Sequence, residues 1–484
     1  MTNITTDLSL THKRFIGFIV SLALFMDAID TTILNTAIPM MARSLQVEPI
    51  DLKIALISYL VSLGVIIPIS GWIADKYGVK RVFMLALVIF TLSSMWCGFA
   101  RNLTELTISR ACQGIGGSLM LPVGRLIILQ TFKRHEIISA MNSVVMVVSL
   151  GIMLGPLAGG FITDHFSWQW IFWINVPIGL FAFWLSSLYL KGSVLKRVQA
   201  FDYLGFILFG SGLAALTFSL AYLSESTANH VVGIIILLIA LLVVISYFIY
   251  AFRQPKPLIN VKLLKIRTFR ISILGNLMAR LGFGGVPFLL PLLFQICLGY
   301  SAQWSGFLVA PIAIGIFTVK AISLPLLRFF GYKRLLLLNT LALGMSLWSM
   351  QWINQTSSMY SIILTTFMFG FFICLQYSAL NSIAYSDIEN EQLSSASSIA
   401  SAVQQLGQSF GVAIGALLLQ IYTPQPSGHI ILAPNLFHEV FFTLGIFTMI
   451  SVLLFFQLRK EDGLQMLFAR GESVPVHGAK IDQL

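Results

Sequence analysis

Five ionisable side chains stand well inside apolar runs long enough to cross a bilayer, away from their ends: Asp27, Asp30, Arg110, Arg280 and Lys320. The two acids sit in MDAIDTTILNTAIP (26–39), within a run that begins at Phe15. A charge at the bilayer centre costs roughly 2.5–3.5 kcal/mol on insertion scales, so each of these groups must be paired or used. The chemistry open to them is proton exchange. Burial favours a protonated acid and a neighbouring guanidinium favours the carboxylate, so a buried acid near an arginine can switch between the two. Asp27 and Asp30 are three residues apart and share a broad helix face. Arg110 lies at a comparable depth in the fourth run. Arg280 and Lys320 have no Asp or Glu well inside any later run. These two bases snorkel, cap backbone carbonyls or meet an anionic group of a ligand. Asn35, Gln113, Gln295 and Gln376 join Asp27, Arg280 and Lys320 as candidates for lining a substrate cavity. Asn381, Gln404, Gln405 and Gln408 are further polar positions. Each amide alone fits a helix–helix hydrogen bond better than a substrate contact.

No catalytic constellation accompanies them. The sequence has no Ser/His/Asp set, no phosphate-binding loop and no metal-ligand spacing, so no enzyme, metal or cofactor is expected. Its four cysteines all fall in apolar runs without CxxC spacing. Without a nucleotide site, any work the protein does must draw on an ion gradient.

The elements that position these residues follow from composition. Of 484 residues 57% are hydrophobic and 10% charged, against about 25% charged in soluble domains. Mean hydropathy is +0.87. The chain reads as an all-α polytopic membrane protein. Fourteen spans are expected, at 15–39, 54–74, 82–100, 104–129, 137–162, 168–190, 203–223, 231–252, 269–292, 304–327, 334–353, 359–384, 395–421 and 437–457. The first is too long for a signal peptide and reads as uncleaved. Alternate loops are basic: Lys13 and Arg14; Lys76, Lys80 and Arg81; Lys133 and Arg134; Lys191, Lys196 and Arg197; Arg253, Lys256, Lys262, Lys265 and Arg267; Arg328, Lys333 and Arg334. That pattern puts both termini in the cytoplasm and accounts for the net charge of +11 without a nucleic-acid partner. One cytoplasmic loop, with Asp387, Glu389 and Glu391, breaks the trend. Trp168, Trp170, Trp173, Trp348 and Trp352 fit interfacial belts.

YGVKR (77–81) and FGYKR (330–334) both follow a span and open the next, eight spans apart. A six-span repeat with two inserted spans gives that spacing, hence a 6 + 2 + 6 order. The expected units are an N-terminal bundle (1–190), linkers with two inserted helices (191–267), a C-terminal bundle (268–457) and a cytoplasmic tail (458–484). The inserted pair carries no charge in its apolar runs, which suits packing or lipid contact.

Two motifs carry more detail. In GWIADKYGVKR (71–81), Gly71 would allow close helix approach and Asp75 would accept hydrogen bonds at a helix end. Gly78 would form the turn, with Lys80 and Arg81 facing the cytoplasm. The second copy lacks the acid, with Arg328 and Phe329 in that region. In GIMLGPLAGG (151–160), Gly151, Gly155 and Gly159 line one helix face, Gly160 adjoins them, and Pro156 frees a backbone carbonyl and can bend the helix.

These motifs resemble a known family. GWIADKYGVKR is similar to the signature loop between spans 2 and 3 of the major facilitator superfamily. DTTILNTAIP (30–39) resembles the first-span motif of its fourteen-span drug:proton antiporter branch. SRACQGIGG (109–117) resembles the fourth-span motif, with Arg110, Gln113, Gly114 and Gly116 matching. GIMLGPLAGG resembles the antiporter motif of span 5, and SWQWIFWINVPIG (167–179) the start of span 6. The resemblance implies a major-facilitator fold and proton-coupled export of drugs or other small amphiphilic molecules by alternating access. It also implies an inner (cytoplasmic) membrane location, in contact with lipid and protons, with a periplasmic adaptor left open. Only Asp30 matches the family motif, so Asp30 is the expected proton site, paired at some stage with Arg110. Asp27 is an addition: a second proton site, a cation contact, or a partner for Arg280 or Lys320. Gly71, Asp75, Gly78, Lys80 and Arg81 become the expected conformational latch, with Arg125 in a structural role nearby. Arg280 and Lys320 favour an alternative, a dedicated exporter of an endogenous metabolite such as a siderophore or organic acid. A proton-coupled importer and a membrane receptor without transport are the remaining rivals.

Overall fold

The computed structural model describes residues 10–132, 136–190, 192, 200–225, 229–255, 257–389, 392–423 and 433–466. Lys133, Arg134, Lys191, Lys196, Arg197, Lys256, Glu391 and the tail from 467 lie outside the described residues.

Thirteen helical segments are long and apolar enough to cross a bilayer, and the described residues form no strand. In chain order the principal helices are α1 (Leu10–Leu45), α2 (Lys53–Tyr77), α3 (Val79–Phe99), α4 (Leu103–Thr131), α5 (Ile137–His165) and α6 (Asn175–Tyr189). Two follow as a pair, α7 (Tyr203–Leu223) and α8 (His230–Arg253). Then come α9 (Arg267–Phe283), α10 (Val286–Leu292), α11 (Ala302–Val309), α12 (Pro311–Ser349), α13 (Met359–Ala384), α14 (Leu393–Tyr422) and α15 (Pro434–Ile450). Helix starts are set by side-chain caps where the sequence supplies them. Asn102 Oδ1 accepts from Glu105 N at 2.8 Å while Glu105 reaches back to Arg101 N at 2.9 Å. Asp202, Asn229, Ser301 and Ser358 cap four later helices.

One apolar segment, Ala302–Trp352, has 51 residues. As a straight helix it would be about 76 Å long, more than twice the hydrocarbon thickness. The chain breaks instead at Gly331, whose φ of 69° and ψ of 165° are open to glycine and costly for other residues. Gly78 plays the same part between α2 and α3 with φ 91°. Each glycine is followed two residues on by a lysine that closes the turn. Lys80 Nζ donates to Ser187 O and Lys333 Nζ to Phe456 O, both at 2.9 Å. Gly71 departs from expectation. A Cβ there would meet nothing within 4 Å, so that glycine is not needed for a close helix approach.

Helices α1 to α6 pack on one another, and so do α9 to α15. The α7–α8 pair leans on them through α7, which touches α2 and α14. The two groups meet along α2–α14, α5–α11 and α1–α10. Their cores are arranged unequally. At the end of the bundle remote from Leu10 one continuous core joins both groups, with Ile38 and Met41 of α1 beside Phe288 of α10 and Phe437 of α15. At the end where α1 begins, the cores are separate. One is built from α1 to α6 around Phe83 and Ile127, and another from the later helices around Leu336 and Leu380. The apolar core is continuous at one end and divided at the other. Trp168 belongs to the continuous core at 2% exposure, so it is a core residue and not part of an interfacial belt.

The glycines of α5 are used on two faces. A Cβ at Gly155 or Gly159 would overlap the hydroxyls of Thr32 or Thr36, and one at Gly151 would press on Phe25 and Ala28, so this face lies flush against α1. Gly160 and Pro156 meet α11 instead, against Ala302 and Gly306. Asp164 completes that junction by accepting from the backbone N–H groups of Ala302 (3.1 Å) and Gln303 (2.8 Å) at the start of α11.

Candidate functional site

Helix α1 aims its two acids into different surroundings. Asp30 is wholly buried. Its Oδ2 accepts from Arg110 Nη1 at 2.5 Å, and its Oδ1 accepts from Gln113 Nε2 at 2.8 Å and Asn175 Nδ2 at 2.9 Å. Arg110 also donates to Gln113 Oε1 at 2.7 Å, and Asn175 to Ser94 Oγ at 3.0 Å. Three helices thus close around one carboxylate: α4 with Arg110 and Gln113, α6 with Asn175, and α3 with Ser94. Arg110 and Gln113 are three residues apart, which puts both on the face of α4 that meets α1. A buried ion pair holds only when further hydrogen bonds replace lost water, and the two amides supply them.

Asp27 stands outside that cluster. It accepts a hydrogen bond from the Tyr59 hydroxyl of α2. Gly117 of α4 makes the room, since a Cβ there would lie 2.8 Å from both Asp27 Oδ1 and Tyr59 Oη. The ring of Tyr59 lies beneath the Arg110 guanidinium, 4.3 Å from its centroid. One arginine therefore touches both acid sites, directly at Asp30 and through Tyr59 at Asp27.

Asp27 opens on a cavity of about 400 Å³ between the two helix groups. The first group contributes Asp27, Thr31, Asn35 and Tyr59, with the edge of Arg110. The second contributes Arg280, Tyr377, Gln405 and Gln408, and apolar side chains such as Phe283 and Phe369. Of the residues expected in such a cavity, Asp27, Asn35 and Arg280 line it. Four do not, and each has a reason. Gln113 is buried in the Asp30 cluster. Gln376 is buried between Asn339 and Thr340, at 2.8 and 2.9 Å. Gln295 donates across the groups to Thr36 O at 2.9 Å. Lys320 is exposed and donates to the Ser149 hydroxyl of α5. Buried polar side chains take their hydrogen-bond partners within the protein. Tyr59, Asn175, Tyr377 and Asp164 were not singled out by sequence. Asn175 lies inside the quoted span-6 motif, and only that position hinted at a role. Arg125 reaches Ser397 of α14 at 3.0 Å, a bridge between the two groups.

Two helical groups that share a cavity, with buried charge at its wall, define a multi-pass membrane transporter and not an enzyme. The chain belongs to the Major Facilitator Superfamily, whose sequence profile it matches over residues 20–412 and 273–470. It is 36% identical over 450 residues to the "Probable transport protein HsrA" of Haemophilus influenzae, covering 93% of this chain and 97% of that protein. It is 35% identical over 426 residues to the "Putative multidrug resistance protein MdtD" of Pectobacterium atrosepticum, covering 88% and 90%. Among solved structures it resembles a D-xylose-proton symporter, with a TM-score of 0.67, 13% identity and coverage of 93% and 99%. A POT family peptide transporter gives 0.66, 15%, 93% and 98%. At such identity these structures speak for the fold alone.

Proposed function

We propose that this protein is a proton-coupled antiporter that exports drugs or other small amphiphilic molecules by alternating access. The observation that carries the reading is the Asp30–Arg110 pair at the wall of a cavity that Asp27 lines between two helical bundles. The multidrug-resistance naming of relatives such as MdtD supports the substrate class.

In this reading the chain has fourteen spans in a 6 + 2 + 6 order, counted by dividing Ala302–Trp352 at Gly331. It belongs to the fourteen-span antiporter branch and resides in the cytoplasmic membrane with both termini inside. The N-terminal unit covers 1–190, the insert 191–267, the C-terminal unit 268–457 and the tail 458–484. With the termini inside, the divided end faces the cytoplasm, which is the side from which an exporter loads. Protons reach Asp27 from the cavity and pass to Asp30. Protonation of Asp30 removes the countercharge of Arg110, which then turns toward Asp27 across the Tyr59 ring. That exchange pulls on α1 and α4, and the glycine face of α5 lets α1 slide. The turn with Asp75, Gly78, Lys80 and Arg81 acts as the cytoplasmic latch.

Paired flux measurements in proteoliposomes test this. Wild-type protein should move amphiphilic dyes against their gradient when a pH gradient is imposed, with measurable proton counterflow. Asp30→Asn should lose both. Export by Asp30→Asn against a gradient with undiminished proton flux would refute the mechanism.

A further inference from the structure

We infer that Arg280 is the docking point for an anionic group of the substrate, so that the cavity is built for amphiphilic carboxylates. This rests on the transporter reading and names the substrate class for the same cavity.

Arg280 lies in α9 and is 7% exposed. Its Nε donates to Asn276 Oδ1 at 3.0 Å and its Nη1 to Gln408 Oε1 at 3.3 Å. Its guanidinium lies over the Tyr377 ring, 4.3 Å from the centroid. Every one of these partners is neutral. Among the described residues no carboxylate comes within 4.0 Å of it, and none accepts from Nη2. Gln408 is itself held in place, since its Nε2 donates to Gly284 O at 2.6 Å. Gly407 lets α14 close over the arginine, because a Cβ there would lie 3.0 Å from Arg280 Cδ.

This is a positioned cation without a countercharge. A guanidinium offers five N–H donors in a planar fork that matches a carboxylate, and the two hydrogen bonds to amides use two of them. Desolvation of a charge is repaid well only by an opposite charge, which here must arrive with the ligand. The surroundings suit the rest of such a molecule. Phe283, Phe369 and Tyr377 line the same cavity with aromatic side chains, and about 400 Å³ falls within the range of small-molecule sites. The other intramembrane bases do not fill this role. Arg110 is already paired with Asp30, and Lys320 is exposed and bonded to Ser149.

The test compares three probes of one shape on full-length protein: 2-naphthylacetate, its neutral amide, and 2-naphthylethylamine. Binding is read in nanodiscs by equilibrium dialysis. The acid should bind about tenfold more tightly than the amide. Arg280→Gln should remove that preference by weakening the acid about tenfold, with the amide within about twofold. Arg280→Lys should keep part of it. Gln408→Glu, which places a carboxylate beside the arginine, should also abolish it, and this variant serves where Arg280→Gln fails to fold. Equal binding of acid and amide to the wild type overturns the inference, as does equal weakening of both by Arg280→Gln. Flux separates it from the export reading. If a pH gradient drives none of the probes, export fails. If it drives the amide and amine with no preference for the acid, only the carboxylate assignment falls.

Discussion

The two helical groups use their buried arginines differently. In the first, Arg110 meets the carboxylate of Asp30 and the amide of Gln113 in a buried cluster. In the second, Arg280 meets amides and an aromatic ring at the edge of a cavity. The first charge is cancelled within the protein and the second is not. The presence or absence of one acid thus decides whether a buried arginine finds its countercharge inside the protein. The symmetric features are the turns, where Gly78 and Lys80 have their counterparts in Gly331 and Lys333.

The sharpest way to break this contrast is to remove the acid from the first half. Asp30→Ala leaves Arg110 buried and unpaired, which costs about 3–5 kcal/mol when one partner of a buried pair is lost. The expected outcome is a large fall in thermal stability and no proton-coupled flux. Asp30→Asn with Arg110→Gln restores neutrality, so stability should recover while coupling stays absent. Arg280→Gln in the second half should behave oppositely: its partners are neutral and no charge is stranded, so its effect on melting should be much smaller than that of Asp30→Ala. Melting curves of the three variants in one detergent check both statements. Equal losses for Asp30→Ala and Arg280→Gln would remove the distinction between the halves.

Next in size is the glycine face of α5. Gly155→Val would drive a side chain into the Thr32 hydroxyl. Overpacking costs about 1–3 kcal/mol, and here it would also prise α1 from α5. Flux should fall well below wild type although Asp30 and Arg110 are untouched. Gly71→Ala, in open space, should leave melting and flux near wild type.

Much of this was legible in the sequence. Spans announce themselves because a bilayer demands about 20 apolar residues whatever the partners are. Asp30 with Arg110 was legible because a buried charge requires its opposite. The faces of individual helices were not. Gln113, Gln295, Gln376 and Lys320 all looked like cavity residues, yet each is bonded within the protein instead of lining it. Which way an amide points depends on the azimuth of its helix, and that is set by packing at a distance in sequence. Asp164 was missed because its role exists only when α5 meets the start of α11. Three-residue spacing put Asp27 and Asp30 on one broad face, but about 60° of rotation separates a cluster from a cavity.

Tyr59→Phe probes the join between the acid pair and the cavity. It deletes the hydroxyl that Asp27 accepts and keeps the ring under Arg110. A single hydrogen bond to a charged group is worth about 1.5–3 kcal/mol, so a measurable shift in coupling should follow with the fold intact. If Tyr59 relays between the two acids, the variant should bind substrate normally and move fewer protons per substrate. If Asp27 serves the ligand alone, affinity should change and the proton ratio should not.

The smallest effects belong to the paired turns, and they test the symmetry itself. Lys80→Ala and Lys333→Ala each remove one bond to a helix-end carbonyl, Ser187 O and Phe456 O. A cation at a helix C-terminus contributes about 0.3–1 kcal/mol, so each variant should melt slightly below wild type and by similar amounts. Transport separates them. The first turn has Asp75 near its start and the second has Arg328 and Phe329 in that region, so only the first can serve as an acid-based latch. Lys80→Ala should therefore slow flux where Lys333→Ala does not. Equal slowing by both would mean that the turns act as hinges in each half alike, and that Asp75 adds nothing to the first.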